Sequence, residues 1–493
     1  MAAKRDSEHS CEWREEAVEL KDQLSAAQEQ IAELTEKLEA IQKKIFGKSS
    51  EKMPPMDREV RRGNPPDPKA RAEKRRKNAE ARAAKVETED IDVPVPPDLL
   101  KCPVCADGGT FREVGSGTPS PIWEYVPGYF RRRCFHRQTM ACTCGQHIVT
   151  APVPDKVFDR TQYGPRFIAW LVVSKCCDAI PIYRFEKMFQ RMGIPMSRST
   201  MTRLFNRAGE LLIVLASAIL DRIAKAGIVL ADETPQRLQS GSRGYMWTFI
   251  ADNLVGYQFS LSRSGDTPKR ILGGTEGTLV VDMYTGYNAV TGTGQRERAG
   301  CLSHARRGFF EAKKNAPEAD VALELIRSVY VIEARVKHEN LLASPEHAEV
   351  RMKEILPHLD RLYIWLAQQK DRHRPKSKMG KAIRYAMRNW QALTRFILDP
   401  NVPPDNNRSE NALRIVALLR KNSLFAYDPD TADNLAALLT VVATCIASGI
   451  DPLEYLTDVL PRVADTPEEE IASLIPGEWV PASPSAGVPG EVG

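Results

Sequence analysis

Two apolar runs in this chain end on a carboxylate. Ile228, Val229 and Leu230 lead through Ala231 to Asp232, with Glu233 next. Val280 and Val281 lead directly to Asp282. Desolvating a charge is costly, so an acid at the end of a core strand needs a partner. If the two strands are neighbours, their carboxylates converge, and two close like charges want a cation between them. Oxygen-only ligands favour Mg²⁺ or Mn²⁺ over zinc. Two such ions about 4 Å apart, the arrangement that serves phosphodiester chemistry, require a third acid. PPDNNRSENALR, residues 403–414, offers it as Glu410, projecting from the first turns of a helix. Asp405 is the rival, but it stands where a helix cap is expected, which is reason enough for it. Glu233 rivals Asp232. Side chains alternate across a strand, so only one of the two faces the site. Asp232 is the choice, with Glu233 behind it.

These acids need a sheet and a helix to position them. GIVLAD, GYMWTFIADN and GYQFSLSRS read as a three-strand meander, and GTLVVDMYTGY as a fourth strand. Thr234 and Pro235 close the first run. Strand acid, meander, strand acid and helix acid is the layout of an RNase H-like nucleotidyl transferase. The expected fold class is therefore α/β, an RNase H-like catalytic core over 221–425 with a helical insertion at about 313–400. Trp365, Tyr385 and Trp390 in that insertion read as core.

The rest of the 493 residues divides into smaller parts, as so long a chain should. A coiled-coil zipper is expected over 12–47. Ala17, Leu24, Ile31, Leu38 and Ile45 fall seven apart, with Leu20, Ala27, Leu34 and Ile41 as the second seam. It implies a homo-oligomer. A basic flexible linker, 48–95, carries Lys74, Arg75, Arg76 and Lys77 in succession, which suits non-specific contact with phosphate. Five of ten cysteines crowd into 102–144, within a segment at 96–154 read as zinc-binding. Cys102 and Cys105 form one pair and Cys142 and Cys144 the other, a Zn²⁺ ligand set for a structural site. The second pair is one residue short of CxxC, and Cys134, His136 or His147 could replace a member. A helix-turn-helix-like region at 155–220 places Arg198 and Arg203 for DNA, with Ser197 capping the second helix. A C-terminal helical segment, 426–465, precedes a tail at 466–493 expected to be disordered. The start, MAAKRDSEHSCEWREE, has no apolar secretory core, and no apolar stretch approaches the ~20 residues of a membrane span. A soluble, cytoplasmic chain with no membrane partner is expected.

Several ordered blocks resemble the bacterial DDE transposases of the insertion-sequence 66 family. They are FGKSSEK, KCPVC with ACTCG and VTAPVP, IPIYRFEKMFQRMGIPMSRSTM, ADETPQRL, VVDMYTGYN, CLSHARRGFF, DNNRSENALR, LLRKNSLFA and GIDPLEYL. The resemblance implies a catalytic triad of Asp232, Asp282 and Glu410, the three acids that spacing selects. It implies Mg²⁺-dependent cleavage at transposon ends and transfer of the freed 3′-OH into target DNA. Helper proteins from the same element are implied as partners, and a nucleoid-associated location in a bacterium. Basic residues near the acids are expected to hold DNA: His304, Arg306 and Arg307 after the second acid, and Arg408, Arg414, Arg420 and Lys421 around the third. The competing readings are a non-catalytic DNA-binding regulator and a nuclease that cuts without joining.

Overall fold

The structure, a computed structural model, describes residues 73, 77, 139–141, 148–150, 156–158, 161, 163–194, 196–292, 295–423 and 428–482. The chain divides into two units, residues 1–128 and 129–493. In the first, Lys77 pairs with Glu73 at 3.1 Å. The zipper, the rest of the basic linker and Cys102, Cys105, Cys134, His136, Cys142, Cys144 and His147 lie outside the described residues.

The second unit is mixed α/β. It opens on a short antiparallel pair, β1 (Thr139–Ala141) and β2 (Ile148–Thr150). Two helices follow, α1 (Pro165–Cys176) and α2 (Ile182–Arg191). Gly193 turns the chain at φ 68°, a conformation glycine takes without strain. Ser197 then caps α3 (Arg198–Ala224), its Oγ accepting the Thr200 N–H at 3.2 Å. This is the cap read from the sequence. The second helix of the motif is much longer than a recognition helix, however. Its buried stripe of Met201, Leu204, Ala208, Leu212, Leu215, Ile219 and Ile223 runs the length of the core.

Five strands form the central sheet in the order β5-β4-β3-β6-β7. β3 (Ile228–Arg237), β4 (Arg243–Ala251) and β5 (Leu254–Ser260) are the antiparallel meander. β6 (Gly277–Val281) and β7 (Arg296–Gly300) run parallel to β3 on its other side. α4 (Asp266–Leu272) links β5 to β6, and a short turn with α5 (Asn288–Thr291) links β6 to β7.

Two features of the sheet differ from the sequence reading. First, β3 does not end at Pro235 but continues to Arg237, with Pro235 opposite Tyr245. The pairing with β6 stops at Leu230, so beyond it one edge of β3 is open. The N and C=O of a strand residue point the same way. Since the Pro235 C=O accepts from Arg420 of a helix on that open edge, the missing N–H of proline faces the same edge and breaks no ladder bond. Second, RERAG (296–300) has no branched or aromatic strand signal, yet it forms β7. Arg296 is 1% exposed. Through Nε and Nη2 it donates to the carbonyls of Ala224 at 2.7 Å and Ala226 at 3.0 Å and to Thr275 Oγ1 at 2.8 Å, which offsets part of the cost of burying its charge, while Nη1 has no partner among the described residues.

The outer strand β5 is covered by α13 (Pro429–Ala447), which packs on α3 as well. Thr440 Oγ1 accepts the Tyr257 N–H at 2.8 Å, and Thr444 Oγ1 accepts that of Val255 at 3.1 Å. Two hydroxyls thus satisfy an edge that would otherwise be buried unpaired. α3 and α13 approach at Gly209, where a Cβ would stand 2.6 Å from that of Asn434. Among the described residues α13 is the one helix long and apolar enough to cross a membrane, and most of its side chains are buried in this core.

After β7 come α6 (Leu302–Ala312), α7 (Ala319–His338), α8 (Pro345–Val350), a π-helical turn (Arg351–Ile355), α9 (Leu356–Gln369), α10 (Lys378–Arg388) and α11 (Trp390–Thr394). Trp365 stacks edge-on against Phe309 at 6.1 Å, and Trp390 packs on Tyr363 at 5.1 Å. Arg351, 1% exposed, anchors these helices. It holds Glu333 at 2.7 and 3.1 Å and donates to the carbonyls of Phe396, Asp399 (2.8 Å) and Val402 (3.0 Å). The buried His347 meets the same Glu333 at 3.2 Å. The loop these carbonyls shape leads into α12 (Asn407–Ser423).

Residues 466–482 of the tail expected to be disordered are ordered. A 3-10 helix, Glu468–Leu474, follows α14 (Pro452–Arg462) and buries Ile471, Leu474 and Ile475. Trp479 lies edge-on to Tyr455 at 5.2 Å and donates to Asp458 Oδ2 at 2.7 Å. Four apolar anchors in a Pro- and Glu-rich stretch are enough to dock it, a density that composition averages away.

Candidate active site

β3 and β6 are parallel neighbours, with Leu230 opposite Val280. Two residues further along each strand direction stand Asp232 and Asp282. The pairing thus stops two residues before each acid, and Asp282 lies near enough to act on the ionisation of Asp232. Asp282 follows the last residue of β6, and its Oδ1 accepts the Tyr284 N–H at 2.9 Å. Asp232 Oδ1 accepts the Glu233 N–H at 2.9 Å.

Glu410 arrives on the first turn of α12, which runs along the open edge of β3. Two side chains of the α12 region bind that edge. Asn406 Nδ2 donates to the Ala231 carbonyl at 2.7 Å, and Arg420 donates to Thr234 Oγ1 at 3.2 Å and to the Pro235 carbonyl. Asp405 accepts the backbone N–H of Asn407 at 3.1 Å and its side-chain amide at 2.6 Å. The sequence reading put it at the cap itself, but α12 begins at Asn407, so Asp405 holds the helix start from one residue before the cap position. Glu410 is close enough to Asp232 to act on its ionisation. Asp232 is pushed up to about 7, first by burial, then by the charge of Glu233, with Asp282 and Glu410 adding to it. Such crowding on a half-buried carboxylate is relieved by a divalent cation, and the three oxygen donors fit a hard one.

Glu233 takes the other side of β3, as alternation requires. Its side chain is 2% exposed and receives Arg263 at 2.6 and 2.9 Å and the Tyr287 hydroxyl at 2.6 Å. Burial still outweighs these bonds and raises its pKa. Its partners make it a structural carboxylate supporting the strand under Asp232. The Arg263 guanidinium also lies 4.0 Å over the Tyr284 ring.

α6 faces Glu410 from the other side. His304 Nδ1 lies 3.7 Å from Glu410 Oε1, and Arg307 Nη2 4.0 Å from Oε2. α6 is tied to the start of α12. The Leu302 N–H donates to the Pro404 carbonyl at 3.0 Å, and the Asn406 N–H to Cys301 Sγ at 3.3 Å. Burial raises the Cys301 thiol to about 11.

The other basic residues expected at DNA are dispersed. Arg408 donates to the Asp252 carbonyl, and Arg420 is turned to the β3 backbone as described. Both guanidinia are engaged within the chain. Arg414 and Lys421 are exposed on α12, and Arg306 is half-buried on α6. Arg198 pairs with Glu186 across the α2–α3 turn at 3.0 Å. Arg203 lines an open cleft of about 800 Å³ there, remote in sequence from the acids. Sequence reasoning missed Asn406, Arg263, Tyr287 and Cys301 as residues that build the site. All four lie inside stretches that the sequence reading singled out for other residues, namely DNNRSENALR, GYQFSLSRS, VVDMYTGYN and CLSHARRGFF.

Carboxylates from two parallel strands and a helix come near one another in this α/β unit. Comparison with known proteins shows its family. The model of the family described as "Transposase IS66 family" matches residues 160–434, and that of the "IS66 C-terminal element" matches 440–476. The chain belongs to the IS66 transposase family, enzymes that act on DNA. It is similar to three proteins of Sinorhizobium fredii (strain NBRC 101917 / NGR234). "Uncharacterized protein y4qI" is 30% identical over 73% of this chain and 70% of its own length. "Uncharacterized protein y4hP" is 29% identical over 77% and 73%. "Uncharacterized protein y4jD" is 29% identical over 78% and 79%.

Proposed function

We propose that this transposase cuts DNA at transposon ends and joins the freed 3′-OH to a target strand, using Asp232, Asp282 and Glu410 as its catalytic carboxylates on an RNase H-like core. The observation that supports this is the parallel pairing of β3 and β6 up to two residues before Asp232 and Asp282, with Asp282 and Glu410 both near enough to raise the Asp232 pKa. The three acids would hold Mg²⁺ or Mn²⁺, which supplies Lewis-acid stabilisation of the attacking and leaving oxygens. The chain's own part is positional. Tyr284 and Glu233 N–H groups orient the two strand acids. Asn406 and Arg420 clamp α12 to β3 and so set the reach of Glu410. Arg306 and Arg307 present positive charge on α6 toward the DNA backbone.

The test is strand cleavage and strand joining on a DNA duplex carrying the element's ends, with Mg²⁺. Asp232→Asn, Asp282→Asn and Glu410→Gln are each expected to lower both steps at least about a hundredfold, the scale of losing a charge-stabilising group at a reacting centre. Near-full joining by any of the three removes that residue from the triad. Nicks without joined product would favour the cut-only nuclease.

The N-terminal zipper, zinc-binding segment and helper proteins remain part of this reading as expected partners in assembly. Support comes from the heptads and from the paired cysteines Cys102, Cys105, Cys142 and Cys144. Metal analysis of the full chain, expecting structural Zn²⁺ that is lost on replacing Cys102 and Cys105, tests the second.

A further inference from the structure

Three potential metal ligands of different softness meet beside the triad. Cys301 Sγ, His304 and Glu410 each offer an atom, and these atoms lie within 4.8 Å of one another. Cys301 and His304 stand three apart at the start of α6, a spacing that puts both on one side of a helix start. Two further observations point to a ligand. His304 Nδ1 and Glu410 Oε1 are both buried atoms without a hydrogen-bond partner. They face each other at 3.7 Å, too far for a hydrogen bond. Two ligands of one zinc ion, each at about 2.1 Å and tetrahedrally disposed, stand about 3.4 Å apart. The Cys301 sulfur needs about an ångström of approach, within the reach of small side-chain adjustments. It already accepts the Asn406 N–H at 3.3 Å and contacts Ser303 Oγ at 3.0 Å, the kind of outer bonding that steadies a metal-bound thiolate.

We infer that Cys301, His304 and Glu410 form a binding site for a soft divalent cation, zinc above all, distinct from the oxygen-only site, and that filling it withdraws Glu410 from Asp232 and Asp282. The catalytic site selects hard ions by its carboxylates. A thiolate and an imidazole select the opposite class. Glu410 is shared, so the two sites compete for one carboxylate, and zinc acts as an inhibitor that Mg²⁺ opposes. The inhibitory half of this rests on Glu410 being a catalytic carboxylate, and the binding half does not.

Binding and inhibition are measured separately on the full chain. Co²⁺ replaces zinc as the spectroscopic probe. The wild-type minus Cys301→Ser difference spectrum should show one cobalt with a thiolate charge-transfer band, and the Cys-rich N-terminal segment cancels in the difference. His304→Gln should lose the same band. In the cutting assay at fixed Mg²⁺, zinc should inhibit the wild type. The zinc needed for half-inhibition should rise at least tenfold in Cys301→Ser and in His304→Gln, each compared with its own zinc-free rate. A featureless difference spectrum, or equal zinc sensitivity in both variants and the wild type, overturns the inference. If instead the cobalt band appears and Glu410→Gln still cuts DNA, the triad assignment fails and the inhibitory half falls with it.

Discussion

Replacing Asp232 with Asn should stabilise the metal-free protein while abolishing its activity, and the gain should depend on pH. Asp232 is pushed up to about 7 by burial and by Glu233, Asp282 and Glu410, from an ordinary value of 3.8. At about 1.36 kcal/mol per pH unit, that gap corresponds to about 4 kcal/mol of penalty on the charged form. Partial exposure of the site and relaxation reduce this to about 2 kcal/mol. A raised carboxylate pKa means that the folded state binds the proton more tightly than the unfolded chain. Stability therefore falls as pH climbs from about 4 to about 7 and levels off above. Asparagine has the same shape and cannot ionise, so the variant escapes this loss. In urea unfolding with EDTA, followed by tryptophan fluorescence, Asp232→Asn and wild type should be nearly equal at about pH 4.5. The variant should be about 2 kcal/mol more stable at about pH 8. Adding Mg²⁺ should stabilise the wild type and not the variant, because the cation relieves the same repulsion. If the stability difference is the same at both pH values, or if the variant is the weaker one at pH 8, the carboxylates are not crowded together and the geometry argued from the β3–β6 register is wrong.

Two further consequences concern the frame around the site. Arg351→Ala should cost about 3–5 kcal/mol, because it leaves Glu333 without its buried counter-charge and the carbonyls of Phe396, Asp399 and Val402 without their donor. Chemical denaturation measures this, and a loss under about 1 kcal/mol would show that the insertion does not depend on that clamp. Thr440→Val and Thr444→Val should each cost about 1–3 kcal/mol, since each strands a buried N–H of β5. Faster hydrogen exchange at Tyr257 and Val255 in the respective variants would confirm the cause, and unchanged exchange would refute it.

The acids themselves were legible in the sequence because their signal is local. A branched apolar run ending on a carboxylate reads as a core strand that delivers a charge, and Val229–Asp232 and Val280–Asp282 both carry it. The Ser197 cap and the meander were legible for the same reason, since capping and alternation act within a few residues. The tertiary structure alone decided whether those acids meet. That depends on β3 and β6 being parallel neighbours in register, a pairing between residues fifty positions apart that no local pattern encodes. It also decided the fate of residues whose roles are non-local. Polar RERAG became a strand because Arg296 finds two carbonyls at the end of α3. Pro235 stayed within β3 because its missing donor falls on an open edge. Arg420, a cation suited to DNA by composition, turned inward to that same edge. The tail beyond 466 docked through a few anchors that its average composition hides. Local chemistry is written in neighbouring residues, whereas hydrogen-bond partners and charge neighbours are chosen by packing, which only the folded chain supplies.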